Sequence, residues 1–305
     1  MTYNRPPEER PTHPIGRLTM SAKMIGQPIH IFCRGCGYGS IAQNFCRLFA
    51  EEKLDPIKFP FVVGVGCNSA IPTILPGYSF MALHGRTICT ATGIKLVRPE
   101  LKPICITGDG DLLSIGANHF VQGCRRNIDM MTVLLNNRVY GMTGGQCAPT
   151  TPTGAKTSTT KWGYLETPFI AAELARVAGA TFIARWTVAQ PRQYINTWKK
   201  ALKHKGFSFV EIISTCPTYF GRFNDFPEPV DLFSWIKNSS VPVKEAANMT
   251  PEELKDRIVV GELYETQRPE LSDLYYELVK KVQGTESVKQ VQGTESVKKV
   301  RGKRA

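Results

Sequence analysis

The chain reads PICITGDGDLLSIGANHFVQGCRRNIDMMTVLLNN from residue 103 to residue 137. Residues 103–107 form a short apolar run, which predicts a buried strand that ends at the GDGD segment. Residues 115–124 have helical spacing, and residues 130–135 predict a second strand that ends at Asn136-Asn137. A strand, a helix and a strand in succession are typical of a parallel sheet with helices on both faces.

The same alternation continues on both sides of this unit. Residues 59–65 (FPFVVGV) and 207–214 (FSFVEIIS) predict buried strands, and residues 181–184 predict an extended segment. Residues 169–177 and 190–204 predict helices, with Pro168 as a first-turn residue of the earlier one. The predicted fold class is therefore α/β, a parallel sheet with helices on both faces. Ligands of such sheets bind beyond the carboxyl ends of the strands, so we expect the segments at 66–69, 108–111, 136–137 and 215–216 to form one site.

Composition excludes several classes of protein. The 305 residues are 42% hydrophobic and 21% charged, as in globular proteins. There is no run of about 18 apolar residues, so no membrane span is expected. The first 30 residues lack the apolar stretch of a secretory signal, so we expect a cytoplasmic protein. In that reducing compartment, the nine cysteines are not expected to form disulfides.

The chain divides into four predicted segments. Residues 1–28 are polar and rich in proline and predict an extended arm, and residues 29–224 hold the α/β domain. Residues 225–280 form a C-terminal extension in which no chemistry is evident. Residues 281–305 contain two copies of a nine-residue repeat and predict a disordered tail. Half of the net charge of +12 lies in residues 280–305, and a basic tail rather than a basic face argues against a nucleic-acid-binding domain.

Two strand ends carry oxygen ligands that suit a divalent cation. Asp109 and Asn137 lie at the tips of neighbouring predicted strands, and the carbonyl of Val139 follows two residues later. Mg²⁺ prefers oxygen ligands and often bridges the phosphates of a bound molecule. Glycines such as Gly108 and Gly110 let the backbone approach a phosphate closely. The alternative is that GDGD is only a turn and Asn136-Asn137 only a loop.

These motifs resemble the signature of enzymes that bind thiamine diphosphate. The resemblance lies in Gly108-Asp109-Gly110 followed, about one helix and one strand later, by Asn136-Asn137. It implies a thiamine diphosphate-binding fold, of which this chain has the diphosphate-binding domain. It also implies that Asp109, Asn137 and the carbonyl of Val139 hold Mg²⁺ against the diphosphate.

Four cysteines occupy positions that could converge. Cys33 and Cys36 form a CxxC motif, which alone is ambiguous between a zinc site, a redox dithiol and a pair of cluster ligands. Cys67 and Cys216 each follow a predicted strand at the same sheet edge, and Cys216 precedes a proline as in ferredoxin-type clusters. Four thiolates that meet there would suit a [4Fe–4S] cluster.

The motifs together resemble the β subunit of 2-oxoacid:ferredoxin oxidoreductases, of the 2-oxoglutarate synthase type. The matching segments run from residue 29 to residue 226 and are CRGCG, GVGC, LHGR, ATGIK, GDGD, NNRVYGMTGGQ and the late CP. The resemblance implies that Cys33, Cys36, Cys67 and Cys216 bind the cluster. It implies a cofactor pocket that contains Gly66, Asn68, His84, Gly108, Gly110 and Met142. Cys46, Cys105 and Cys124 are expected to be buried, and Cys89 and Cys147 are not matched to the cluster either.

The resemblance implies the oxidative decarboxylation of 2-oxoglutarate with coenzyme A to succinyl-CoA and CO₂, with electrons passing through the cluster to ferredoxin. The segments LHGR and ATGIKLVRPELKP most resemble the 2-oxoglutarate type of this family. The alternatives are a pyruvate:ferredoxin oxidoreductase β subunit and a nonredox thiamine diphosphate decarboxylase or synthase. Arg86 either binds a substrate carboxylate or forms a structural ion pair.

Part of the catalytic machinery is expected on another chain. Thiamine enzymes need a second domain, which binds the aminopyrimidine ring and offers a glutamate that activates it. The segments described above leave no room for such a domain. We therefore expect a hetero-oligomer with an α subunit that carries the pyrimidine-binding domain and the activating glutamate, and we identify no catalytic acid or base in this chain.

Overall fold

A computed structural model of the chain describes residues 32–284. The predicted arm at residues 1–28 and the repeat tail beyond residue 284 lie outside these residues. Between residues 32 and 284, every helix is too short or too polar to cross a membrane.

Eight strands form one sheet, and a short hairpin stands beside it. In space the order is β2-β1-β3-β4-β8-β7-β10-β9, and β5 pairs with β6 in the hairpin. The strands are β1 (Phe61–Val63), β2 (Ser79–Met81), β3 (Ile104–Gly108), β4 (Met130–Asn136), β5 (Val139–Tyr140), β6 (Gln146–Cys147), β7 (Phe182–Thr187), β8 (Phe207–Ile213), β9 (Ser240–Pro242) and β10 (Ile258–Glu265).

The helices connect these strands and cover both faces of the sheet. They are α1 (Gly37–Glu51), α2 (Thr87–Val97), α3 (Ala117–Arg126), α4 (Ala171–Ala178), α5 (Pro191–Lys203), α6 (Pro229–Ser239), α7 (Val243–Ala246), α8 (Pro251–Leu254) and α9 (Leu271–Gln283). A 3₁₀ helix spans Cys67–Ile74, and single π-helical turns span Asp111–Ile115 and Pro217–Gly221.

The centre of the sheet is buried on both sides. Every residue of β3, β4 and β8 is buried, which is why their sequences are nearly continuous apolar runs rather than alternating ones. On one face Phe45 of α1 stacks on Trp198 of α5 with ring centroids 4.1 Å apart. On the other face Phe120 of α3 packs against Phe209 of β8. The predicted α/β class with helices on both faces is confirmed.

The structure differs from the sequence prediction at several places. The extension contributes β9 and β10 to the main sheet, and β10 runs antiparallel to β7, so the sheet is not parallel throughout. Helix α4 begins at Ala171, so the placement of Pro168 in its first turn is wrong. Residues 111–115 form the π-helical turn, and the predicted helix at 115–124 begins only at Ala117. Helix α9 continues to Gln283, so the tail assigned from residue 281 begins with helical residues.

Candidate active site

The carboxyl ends of β1, β3 and β4 open onto one pocket. All six residues predicted to bind a cofactor line it, and so do the three predicted metal ligands and Cys67. The lining residues are Tyr38, Val65, Gly66, Cys67, Asn68, His84, Gly108, Asp109, Gly110, Asp111, Asn137, Val139, Tyr140, Gly141, Met142 and Thr143.

The oxygen ligands form one side of the pocket, which we call the metal half. Asp109, Asn137 and Val139 are all buried there. The backbone N–H of Val139 donates to Oδ1 of Asn137 over 3.2 Å. Arg138 between them has a φ of 69°, a left-handed conformation that reverses the direction of the chain between the two ligands.

This set of donors fits a hard cation. Among residues 32–284, no three His, Cys, Asp or Glu side chains lie close enough to hold a metal ion by themselves. Mg²⁺ does not need such a cage, because it usually takes one or two carboxylates and completes its shell with phosphate oxygens and water. The metal half offers one carboxylate, one amide oxygen and one backbone carbonyl, all of them oxygen donors.

Burial disfavours ionisation of the Asp109 carboxyl unless a cation lies beside it. Burial raises the pKa of Asp109 to about 6, and hydrogen bonds from the Thr150 hydroxyl and from the backbone N–H of Gly110 oppose this rise. Thr150 Oγ1 lies 2.6 Å from Oδ2 of Asp109. A buried carboxylate is ionised more readily when a cation stands beside it.

Asp111 supports the wall of the pocket that contains His84. Its Oδ1 lies 2.6 Å from Nδ1 of His84 and accepts from the backbone N–H of Gly85 over 2.7 Å. The hydroxyl of Thr107 donates to Oδ2 over 2.6 Å. The bond between Nδ1 and Oδ1 fixes the imidazole ring of His84 against the pocket wall.

The CxxC segment is tied to the chain next to Cys216. Cys36 donates its backbone N–H to the carbonyl of Cys33 over 3.0 Å, and Gly35 between them has a φ of 76° that favours glycine. The hydroxyl of Thr215 donates to the carbonyl of Gly35 over 2.8 Å. Two stretches about 180 residues apart therefore meet.

The four predicted cluster ligands converge, and we call them the thiol half. Burial raises the pKa of Cys36 to about 12, and repulsion from Cys216, Cys67 and Cys33 adds to the rise. Burial also raises the pKa of Cys67, to about 11, with further repulsion from Cys216 and Cys33. All four sulfurs thus lie within electrostatic range of one another.

Backbone groups of the thiol half favour thiolates. Burial raises the pKa of Cys216, but the backbone N–H groups of Phe220 and Tyr219 donate to its sulfur and oppose the rise. The backbone N–H of Tyr38 does the same at Cys36. Each cysteine of a [4Fe–4S] cluster binds a different iron, so its ligands stand farther apart than those of a single ion. Four neighbouring thiols, of which Cys36 and Cys216 have N–H donors, fit that requirement.

The two halves meet at Gly141. A Cβ added to Gly141 would lie 3.4 Å from Nδ2 of Asn137, 3.3 Å from the sulfur of Cys67 and 3.8 Å from the sulfur of Cys216. Tyr38 lies in the same region, since it lines the pocket and interacts electrostatically with Asp109 and with Cys36. The metal half and the thiol half are therefore direct neighbours.

Known proteins resemble this chain in sequence and in fold. Residues 64–212 match the family described as thiamine pyrophosphate enzyme, C-terminal TPP binding domain. The 2-oxoglutarate synthase subunit KorB of Methanocaldococcus jannaschii is 44% identical over 254 residues, which are 83% of this chain and 94% of that protein. The KorB subunit of Methanothermobacter marburgensis is 44% identical over 255 residues, 84% of this chain and 90% of that protein. The chain belongs to the KorB family.

A solved structure agrees with this membership. The 2-oxoglutarate:ferredoxin oxidoreductase from Magnetococcus marinus, with 2-oxoglutarate, coenzyme A and succinyl-CoA bound, has a TM-score of 0.75 and 29% sequence identity to this chain. The alignment covers 90% of this chain and 92% of that one. The structural similarity of this KorB family member therefore extends well beyond the matched thiamine domain.

The remaining five cysteines and Arg86 are not among the residues that line the pocket, although Cys147 of β6 pairs with Val139 of the metal half. Cys46, Cys105 and Cys124 are buried, as predicted, whereas Cys89 is exposed and Cys147 is half-buried. Arg86 is exposed, donates to the carbonyl of Ile115 over 3.4 Å, and is not among the residues that line the pocket.

Sequence reasoning placed Asp111 in the site only as part of the segment 108–111, without a role, and did not identify Thr150 at all. Asp111 belongs to the quoted GDGD segment, and an acidic residue after a strand was the available signal for it. Thr150 lies 41 residues from Asp109 in a loop without regular structure, and no local pattern marks it.

Proposed function

We propose that the chain is the β subunit of a 2-oxoglutarate:ferredoxin oxidoreductase in the cytoplasm. With its α subunit it converts 2-oxoglutarate and coenzyme A to succinyl-CoA and CO₂, and electrons leave through a [4Fe–4S] cluster to ferredoxin. The observation that carries the proposal is the contact of the metal half and the thiol half at Gly141. A nonredox thiamine enzyme has no need for four converging thiols beside its diphosphate site.

The residues of the metal half bind and orient the coenzyme. Asp109, Asn137 and the carbonyl of Val139 hold Mg²⁺ against the diphosphate. Gly110 allows the Tyr140 ring to lie against the backbone, since a Cβ at this position would overlap the ring. When bound, thiamine diphosphate supplies the nucleophilic carbon that attacks a 2-oxo group and then accepts its electrons.

Burial of the metal half excludes water from these ligands. His84 lines the pocket, and the bond of its Nδ1 to Asp111 fixes the ring, so it can hold a proton at a defined position. Cys33, Cys36, Cys67 and Cys216 would hold the cluster next to the coenzyme, with backbone N–H groups donating to the sulfurs of Cys36 and Cys216. Low-potential clusters of this type transfer one electron at a time.

The activating glutamate is assigned to the α subunit. Among the described residues that line the pocket, the acidic side chains are Asp109 and Asp111. Asp109 is assigned to the metal, and Asp111 is engaged with His84, Gly85 and Thr107. The pocket therefore offers no glutamate of its own to the aminopyrimidine ring, which agrees with a catalytic site completed by a partner.

The assignment to 2-oxoglutarate is supported by the KorB relatives and by the M. marinus enzyme, which are named for that substrate. The test is anaerobic purification of the complex of this chain and its α subunit. We expect iron, sulfide, Mg²⁺ and thiamine diphosphate in the preparation, and CoA-dependent reduction of ferredoxin with 2-oxoglutarate. A colourless, iron-free complex that still decarboxylates would support the nonredox alternative, and preferred turnover of pyruvate would contradict the substrate.

A further inference from the structure

A single threonine hydroxyl contacts both strand ends of the metal half. Thr150 is buried, and its Oγ1 lies 2.6 Å from Oδ2 of Asp109 and 3.0 Å from Oδ1 of Asn136. Asp109 follows β3, and Asn136 is the last residue of β4. The hydroxyl therefore lies between the two motifs that supply the predicted metal ligands.

The hydroxyl of Thr150 donates its hydrogen bond to the carboxylate of Asp109. A hydroxyl has one proton, and both neighbouring oxygens accept. The bond to the carboxylate is shorter, and hydrogen bonds to ionised acceptors are about twice as strong as neutral ones. With Oδ2 held in this way, the carboxylate cannot rotate without losing the bond, so the direction of its other oxygen is determined.

The loop of Thr150 is itself firmly held. The hydroxyl of Thr151 donates to the carbonyl of Arg138 over 2.6 Å and accepts from the backbone N–H of Ala148 over 2.8 Å. The loop is thereby attached to the turn between Asn137 and Val139. Thr150 thus reaches Asp109 from a fixed base and not from a free loop.

Asn136 extends the contact into the centre of the sheet. Its Nδ2 donates to Oε1 of buried Glu211 over 2.8 Å, and Nε of Arg185 donates to Oε2 over 2.7 Å. Both residues lie on strands, β8 and β7, which are rigid elements of the fold. A hydrogen-bonded chain therefore leads from Arg185 through Glu211 to Asn136, and the Oδ1 of Asn136 lies 3.0 Å from the Thr150 hydroxyl.

We propose that Thr150 is a positioning residue that orients the Asp109 carboxylate for a divalent cation, and that its hydroxyl sets the affinity of the metal half for Mg²⁺. This inference rests on the proposed function, because it concerns the same metal site. Hydrogen-bond partners of metal-binding carboxylates typically change metal affinity by roughly 10–100-fold when they are removed. Thr150 acts through Asp109 and does not touch the coenzyme.

The test compares variants of the purified αβ complex. Thr150→Val keeps the shape of the side chain and removes the hydroxyl, Thr150→Ala removes it without a branched side chain, and Thr150→Ser retains it. Thr153→Val is the matched control, because Thr153 lies in the same loop, is exposed, and donates to the carbonyl of Glu166. After chelation, Mg²⁺ is titrated calorimetrically in the presence of thiamine diphosphate, and iron content is measured in parallel.

We expect Thr150→Val and Thr150→Ala to bind Mg²⁺ roughly 10–100-fold more weakly, whereas Thr150→Ser and Thr153→Val bind as the wild type does. Iron content stays unchanged in all four, since the thiol half does not depend on Thr150. Equal Mg²⁺ affinity in wild type and in the hydroxyl-free variants would overturn the inference while leaving the proposed function intact. Weak binding by the serine variant would also overturn it, and a wild-type complex that binds no Mg²⁺ would overturn both.

Discussion

Replacing Gly141 by alanine adds a methyl group where the metal half meets the thiol half. The new Cβ would lie 3.3 Å from the sulfur of Cys67 and 3.4 Å from Nδ2 of Asn137, and 3.8 Å from the sulfur of Cys216. Non-bonded carbon atoms prefer separations of about 3.5–4.0 Å. The sulfur of Cys67 must therefore move by a few tenths of an ångström, whereas Asn137 and Cys216 remain at contact distance.

The stability cost of this substitution is small. Overpacking costs about 1–3 kcal/mol when side chains and backbone must shift, and a displacement this slight belongs at the lower end, about 1 kcal/mol. For a domain of this size, that corresponds to a decrease in Tm of about 2–4 °C. The functional cost is larger, because a misplacement of about 1 Å in an active site can lower the rate about 100-fold. We therefore expect Gly141→Ala to fold, to lose much of its iron, and to lose at least about 10-fold in turnover.

The assay measures iron and sulfide per chain, the visible absorption of the cluster, ferredoxin reduction and Tm on the same preparation. Gly93→Ala is the matched control, since Gly93 lies inside α2 and a Cβ there would have no neighbour within 4 Å. Alanine is favoured over glycine inside a helix by about 0.5–1 kcal/mol, so this control should have a slightly higher Tm and unchanged activity. A Gly141→Ala complex with full iron content and wild-type turnover would refute the reasoning, because the cluster and the metal would then not meet at this residue.

Three further outcomes are expected. Asp129→Asn removes a buried carboxylate that lies 2.8 Å from Nζ of Lys95 and 3.0 Å from Nζ of Lys102, and should cost about 3–5 kcal/mol at pH 7. Burial opposes ionisation of Asp129, but the charges of Lys102 and Lys95 lower its pKa below the ordinary value. Its stabilisation is therefore present above the unfolded-state pKa of about 3.9 and is lost as the pH falls through the lower folded-state value. Urea unfolding should separate the wild type from the variant at pH 7 and bring them together in strong acid, and equal midpoints at pH 7 would contradict this. Cys216→Ser should lower the iron content of the complex, whereas Cys46→Ala, at a buried thiol that donates to the carbonyl of Ile74, should leave it unchanged; iron loss in both variants would argue against a specific ligand role. Removal of residues 285–305 preserves α9 and should leave ferredoxin reduction unchanged. A loss of turnover would contradict this and would show that the tail takes part in the reaction.

The central sheet could be predicted because its strands carry local signals. Buried parallel strands such as β3, β4 and β8 are short apolar runs, and turn residues mark their ends. Asp109 and Asn137 could be placed on one edge because parallel strands direct their carboxyl ends the same way. The order of strands and helices along the chain was therefore sufficient to predict which residues share a pocket.

The parts that could not be predicted depend on contacts between distant segments. Strand β10 pairs with β7 across a bulge between Glu262 and Tyr264, and part of its side chains are exposed, so its sequence lacks a continuous apolar run. Thr150 is close in sequence to Asn136, but the Asp109 carboxylate that its hydroxyl contacts follows the preceding strand, 41 residues away. Such pairings are set by tertiary packing, which local patterns do not encode.

The carboxylate of Asp111 joins separate parts of the pocket wall. Its two oxygens accept from groups on three separate stretches, at the end of β1, around His84 and within β3. Asparagine has the same shape but would direct an amide N–H₂ at one of those donors, and glutamate would require space that Gly64 and Thr87 do not leave. A substitution at position 111 therefore disturbs three stretches of the pocket wall at once, because a single carboxylate joins them.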